Sequence, residues 1–343
     1  MAKILLKDST LIGDYESPYF IAEINSSHNG NLETARQMIN KAKEIGCSCV
    51  KFQSWSADSL YSKTYYDANP ITKRIVQKFS LSDTQLLEMA NYCKEVGISF
   101  SSTPYSRAEV DFLLNKCNAP YIKVASMDIN NYSYLKYIAK CEVPIVLSTG
   151  MSEIEEIKKA VYAIEEAGNS QIILLHCISI YPAEPSTINL NNILTLREVF
   201  PRYPIGFSDH TIGTEVAVAA TALGTAIIEK HFTLDKSKMG MDNNMATEPE
   251  EMAQMLKDCC NVYEAMGSKE RIVSQAECEQ RKKMRRSIVA ARDLISGSKV
   301  SVDDFDVKRP GTGLPPEKVE QLVGKTLVRD IKADTMILET DFV

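Results

Sequence analysis

The sequence predicts an α/β chain, a (β/α)8 TIM barrel followed by a small β-rich C-terminal domain. Three observations carry this. Eight short apolar runs, mostly β-branched or aromatic, recur between Tyr19 and Phe232. Segments of helical period separate them, several opening on Ser, Thr or Asn and ending in Gly, the residues that cap helices. After the last of these segments the texture changes to short strands and turns. Strand alternating with helix calls for a parallel sheet with crossover helices. Eight repeats favour closure into a barrel over an open sheet. No GxGxxG or Walker pattern follows any run, which weakens a nucleotide-binding doubly wound alternative.

The runs, taken in order, carry polar groups at their C-terminal ends, where a barrel keeps its chemistry. YFIAEI (Tyr19–Ile24) ends in Glu23 and Asn25 and enters the turn Ser26–Gly30, which contains His28. CVKFQ (Cys49–Gln53) carries Lys51 and Gln53. SFSST (Ser99–Thr103) ends in Ser102 and Thr103, and YIKVAS (Tyr121–Ser126) holds Lys123 and Ser126. IVLST (Ile145–Thr149) ends in Ser148, Thr149 and Gly150. QIILLHC (Gln171–Cys177) leads to His176, Cys177, Ser179 and Tyr181. PIGFSD (Pro204–Asp209) presents Ser208, Asp209 and His210, and IIEKHF (Ile227–Phe232) presents Glu229, Lys230 and His231. The segments LETARQMINKAKEIG, SDTQLLEMANYCKEVG and EIEEIKKAVYAIEEAG read as crossover helices, and Glu248 to Met266 as the last barrel helix. The connection Ser54 to Leu81, with Trp55, Tyr61, Tyr65 and Tyr66, is longer than the others. It reads as a cover over the active face, against the alternative of a solvated insertion. The barrel is assigned to residues 1–280 and the small domain to 281–343, with a junction at about 267–286 that includes the basic run Arg281–Arg286.

Composition narrows the function. The chain has 343 residues, 44% hydrophobic and 24% charged, with a formal charge of −6. That argues against a nucleic-acid partner, whose backbone calls for a positive field. The nine cysteines form no CxxC pair and read as reduced thiols of a cytoplasmic protein. The N-terminus lacks a signal-peptide core, and the stretch Val216 to Ile228 falls short of a membrane span.

A barrel-facing lysine within an apolar strand is costly unless it meets an anion. Lys51 and Lys123, with Ser126, Ser148, Thr149 and Gly150, therefore read as a phosphate or carboxylate cradle. The alternative is a pair of structural ion pairs with Glu23 and Glu229. His210 and His231, on adjacent strands, could hold one divalent metal with positions left for substrate oxygens. His28 and His176 could be outer or substrate groups.

IAEINSSHNG, VKFQ, SSTPYS, IKVASMDINN, VLSTGM, LLHCISIYP, IGFSDHTIG and IEKHFTLD, in this order, resemble the sialic acid synthase family. VKRPGTGLPP in the tail resembles the signature of its antifreeze-like SAF domain, so the resemblance covers nearly the whole chain. It implies a domain-swapped homodimer that joins phosphoenolpyruvate to an N-acetylated hexose and releases phosphate. It implies Lys51, Gln53, Thr103, Lys123, Ser126, Ser148, Ser179 and Ser208 on phosphoenolpyruvate, and Tyr181, Glu229, Asp242 and Arg309 on the sugar. Arg309 would enter the partner's site. Glu23 would be the catalytic carboxylate, and His210 and His231 the ligands of a divalent metal, Mn²⁺ first, with Mg²⁺ or Co²⁺ as alternatives. Three positions depart from the family pattern: Ser179 stands where Asn is common, and Gly240–Asn243 and Asn244–Pro249 differ from the usual loop after the eighth strand. The resemblance implies N-acetylmannosamine as the sugar, and these departures point instead to a related 2,4-diacetamido-trideoxyhexose. Other readings are a phosphoenolpyruvate barrel acting on a phosphorylated aldose, a Schiff-base pyruvate lyase using Lys51 or Lys123, and a non-enzymatic carbohydrate- or ice-binding SAF protein.

Overall fold

The computed structural model describes residues 2–343. They form two compact units, which divide between Gly267 and Ser268.

The first unit opens with a hairpin of β1 (Lys3–Leu5) and β2 (Leu11–Gly13). Eight parallel strands follow: β3 (Tyr19–Glu23), β4 (Cys49–Gln53), β5 (Ser99–Thr103), β6 (Ile122–Val124), β7 (Ile145–Ser148), β8 (Ile172–Cys177), β9 (Ile205–Asp209) and β10 (Ile227–His231). They coincide with the eight expected runs to within one or two residues at each end. Their order is β5-β4-β3-β10-β9-β8-β7-β6, so the first barrel strand pairs with the last. At the remaining seam β5 and β6 lie side by side without ladder pairing. This is a nearly closed barrel.

Strand alternation sorts the side chains. Phe20, Ala22, Val50, Phe52, Leu174 and Phe207 point outward and join the crossover helices in the main core. Tyr19, Ile21, Cys49, Tyr121, Val146, Ile173, Leu175 and Ile227 fill the barrel interior. Leu6 and Ile12 of the N-terminal hairpin pack with them, which the sequence reading did not anticipate. The helices start and stop as their caps dictate. Asn31 caps Leu32–Glu44 by accepting from Thr34 N at 2.9 Å. Ser82 and Gln85 form a reciprocal capping box on Asp83–Val96, and Gly97 closes that helix at φ +73°. The long connection after β4 holds the helices Ala57–Leu60, Lys63–Ala68 and Pro70–Phe79 around its own small core of Trp55, Tyr66, Val76 and Phe79. Among the described residues no helix is long and apolar enough to cross a membrane.

The second unit contains the helix Gln275–Met284, β11 (Ser287–Ala290) and β12 (Phe305–Lys308), the strands pairing antiparallel. The unit begins at Ser268, where the expected junction of about 267–286 starts. The basic run expected in the junction is partly helical, and Gly311 N donates to Lys282 O at 2.9 Å, tying it to the small domain. The unit is an internal duplication missed at the sequence level. Arg292, Asp293, Leu294, Val300, Asp304 and Phe305 recur as Arg329, Asp330, Ile331, Ile337, Asp341 and Phe342. Each copy pairs its own Arg and Asp with Nε to Oδ1 at 2.7 Å. The copies exchange backbone bonds reciprocally between Leu294 and Ile331. Each also caps the other: Ser296 N donates to Asp330 at 2.7 Å and Ala333 N to Asp293 at 2.8 Å. Arg309 follows β12 and is exposed.

Candidate active site

The inward alternation that fills the barrel with apolar groups lower down places charge at its C-terminal mouth. Register aligns Glu23 with Lys51 and His231, Gln53 with Thr103, and Glu229 with Ser208. A cavity of about 400 Å³ opens there. It is lined by all the expected barrel residues: Glu23, Lys51, Gln53, Thr103, Lys123, Ser126, Ser148, Ser179, Tyr181, Ser208, His210, Glu229, His231 and Asp242. Such a volume holds a small organic ligand. Arg309 lies in the other unit.

Two lysines and two carboxylates form its floor, all nearly inaccessible to solvent. Lys51 pairs with Glu23 and lies 3.8 Å from Glu229; Lys123 lies 3.7 Å from Glu229. The ion pairs weighed against an anion site are therefore present. They do not saturate the lysines, because Lys123 makes one hydrogen bond, to Ser148 Oγ at 2.7 Å, and an ammonium has three donors. Burial pulls the Lys123 ammonium below its ordinary range, whereas Glu229 and Glu23 overcome the same effect at Lys51 and raise it. Burial pushes Glu23 up to about 7, Lys51 opposing and Glu229 adding to the rise. At Glu229 burial is outweighed by Lys123, Lys51 and the Ser208 hydrogen bond, so its carboxyl stays below the usual value. The cluster is electrically neutral with both carboxylates ionised and carries net positive charge once Glu23 is protonated. It can admit an anion.

Above Lys123, Ser126, Cys177, Ser179 and Gly150 form a cradle. Gly150 N donates to Ser126 Oγ at 3.0 Å. A Cβ on Gly150 would lie 2.3 Å from Ser179 Oγ and 2.8 Å from Ser126 Oγ. Only glycine leaves this space free.

His210 and His231 face each other at 5.5 Å between ring centroids, with Tyr181 4.3 Å from His210. Burial lowers both imidazoles' affinity for protons, that of His231 strongly, which keeps them neutral. His210 Nδ1 is 2.7 Å from Ile178 O, so it carries the proton and leaves Nε2 its lone pair. Two neutral imidazoles suit a divalent cation. Among the described residues no cluster of three or more His, Cys, Asp or Glu side chains completes a protein-only metal cage, so further ligands would have to be substrate or water oxygens. The other two histidines face away: His176 Nε2 meets Ile188 O at 2.7 Å beside Phe207, and His28 Nδ1 accepts from Gly30 N.

Residues 38–271 match the family model described as NeuB family, and residues 285–343 that of the SAF domain. The chain belongs to the NeuB family. It is 36% identical to the N,N'-diacetyllegionaminic acid synthase of Legionella pneumophila, over 93% of each chain. It is 34% identical to the human N-acetylneuraminate-9-phosphate synthase, over 96% of this chain and 93% of that one. Its fold superposes on the N-acetylneuraminic acid synthetase of Leptospira borgpetersenii with a TM-score of 0.75 at 29% identity, covering 81% of this chain and 94% of that one.

The NeuB mouth also contains residues the sequence reading did not assign to substrate or metal. The insertion supplies Trp55, Leu60 and Tyr61 as one wall, in line with the expected cover, and Tyr105, Met127, Met151 and Met241 complete the rim. Asn25, at φ +38°, gives its backbone N–H to Glu23 Oε1 at 2.8 Å and its side-chain amide to Asp242. It thereby links the loop after β10 to the carboxylate. Behind the histidines, on the outward face, Lys230 Nζ donates to Asp209 Oδ2 at 2.7 Å and Thr211 O at 2.9 Å. Asp209 Oδ1 takes Thr211 N and Oγ1. This buried pair joins the ends of β9 and β10. Strand position found the inward groups; nothing short of a parity count along each strand would have separated them from Lys230, Asp209 and His176.

Proposed function

We propose that this NeuB-family enzyme, a transferase, condenses phosphoenolpyruvate with the aldehyde of an N-acetylated hexose to give a nonulosonic acid and inorganic phosphate. The observation that carries the reading is the under-saturated Lys123 beside the Ser126–Gly150–Ser179 cradle, in the same cavity as a carboxylate pushed up to about 7 and two neutral histidines. Lys123, Ser148 and the cradle bind the phosphate and carboxylate. His210 and His231 would hold a divalent cation, Mn²⁺ first, which supplies Lewis-acid polarisation of the aldehyde oxygen. The enol carbon bonds to the aldehyde carbon, leaving positive charge on the carbon that bears the phosphate. Water adds there while Glu23 takes its proton. The aldehyde oxygen, left as an alkoxide, takes that proton from Glu23, and the phosphohemiketal expels phosphate with its own hydroxyl proton, leaving the 2-keto acid.

Tyr181, Glu229 and Asp242 face the sugar. The tie between Asp242 and Asn25 makes the loop after β10 part of the sugar wall, and its departures from the family pattern favour a 2,4-diacetamido sugar, with N-acetylmannosamine as the alternative. Arg309 of a second copy would complete the site in a domain-swapped dimer. Phosphate release from phosphoenolpyruvate, assayed against a panel of aldoses with and without Mn²⁺, tests the reaction and names the sugar; no release with any aldose refutes it. Borohydride trapping with pyruvate separates it from an imine mechanism at Lys51 or Lys123. Mixing Arg309→Ala with Glu23→Ala under subunit exchange restores activity if Arg309 acts in the partner, since one site of the heterodimer then carries neither change.

A further inference from the structure

Gln53 is held more tightly than a strand-end residue requires. Its Oε1 accepts from Trp55 Nε1 at 2.7 Å and from Tyr105 OH at 3.2 Å. An indole N–H can only donate, so the amide oxygen must face Trp55 and the amide nitrogen must face away. That nitrogen lies 3.4 Å from Glu23 Oε1. Trp55 is itself fixed: it is 3% exposed and packs with Tyr66, Val76 and Phe79 in the core of the insertion. Tyr105 is anchored by its backbone N–H, which donates to Glu109 at 2.6 Å. Without these two donors the amide could turn over and set its carbonyl against the Glu23 carboxylate, two acceptors in contact.

We propose that Trp55 and Tyr105 are positioning residues that lock the Gln53 amide, so that it offers only N–H groups to Glu23 and to a substrate oxygen beside it. The insertion between β4 and the helix Asp83–Val96 thus does more than wall the cavity. It reaches the reacting carboxylate through a single side chain, and its small core sets the direction of that side chain's dipole. The consequence for catalysis rests on the condensation reading above; the lock itself is a property of the free chain.

Trp55 is the only tryptophan in the sequence, so its fluorescence reports the lock directly. In the substrate-free protein Gln53→Met should shift the emission to shorter wavelength, because the indole N–H loses its polar acceptor; unchanged emission overturns the lock. Trp55→Phe, and separately Tyr105→Phe, should lower kcat about three- to tenfold, the effect of one hydrogen bond. In the Gln53→Met background neither should lower it further. A packing role for Trp55 or Tyr105 predicts losses that multiply in the double variants, and that result overturns the proposal. Tyr105→Phe removes one hydroxyl and keeps the ring, so it remains informative if Trp55→Phe folds poorly. The fluorescence arm decides the lock even if the unaltered protein releases no phosphate, so failure of the reaction and failure of the lock are told apart.

Discussion

Gly150→Ala is expected to abolish tight anion binding while leaving the barrel folded. Gly150 follows β7, and its backbone does not adopt the left-handed conformation, so alanine brings no backbone strain. The added methyl carbon would stand 2.3 Å from Ser179 Oγ, 2.8 Å from Ser126 Oγ and 3.0 Å from Cys177 Sγ. Both hydroxyls must rotate away, and the Gly150 N–H loses its 3.0 Å bond to Ser126. A hydrogen bond to a charged group contributes about 1.5–3 kcal/mol, so losing two hydroxyl contacts to the anion costs about 3–6 kcal/mol. The KM for phosphoenolpyruvate should then rise about 10²- to 10⁴-fold. Overpacking of this kind costs about 1–3 kcal/mol of stability, which leaves a folded protein with a lowered Tm. Phosphate release against phosphoenolpyruvate concentration, with calorimetric binding alongside, measures the effect. Adding Ser179→Gly returns the nearest space and should recover part of the lost Tm, without restoring the hydroxyl contacts to the anion. A Gly150→Ala enzyme whose KM stays within about twofold of the parent would refute the cradle.

Three further outcomes can be checked. With Glu23 acting as base from a pKa of about 7, kcat/KM should rise with pH through neutrality, falling about tenfold per unit on the acid side; Glu23→Gln should remove that limb together with most of the activity, as a pH–rate profile would show. His231→Ala and His210→Ala should each abolish Mn²⁺ binding followed by electron paramagnetic resonance, and chelation of the parent enzyme should stop turnover that Mn²⁺ restores; full activity in a metal-free preparation contradicts the metal assignment. Lys230→Met leaves Asp209 buried without its counter-ion and should cost about 3–5 kcal/mol in denaturant unfolding, whereas Lys230→Met with Asp209→Asn should recover much of it.

The alternation of eight apolar runs with capped helical segments determined the barrel, because period-two and period-3.6 patterning is written locally and each element must bury its own apolar face. Polar residues at the strand ends likewise pointed to the mouth, and motif order pointed to the family. What the linear string left open was which groups meet. Lys51 and Lys123 read first as anion binders, with ion pairs to Glu23 and Glu229 as the alternative, and only the packed barrel shows that Lys51 is engaged while Lys123 keeps donors free. Lys230 and His231 are neighbours in sequence, yet strand parity sends one behind the sheet to Asp209 and the other to face His210. The rise of Glu23 to about 7 comes from burial beside Glu229, two hundred residues away in the chain, and the direction of the Gln53 amide comes from a tryptophan in an insertion. Those are properties of tertiary contact, since desolvation and the orientation of a hydrogen bond exist only once the surrounding elements have closed around the group.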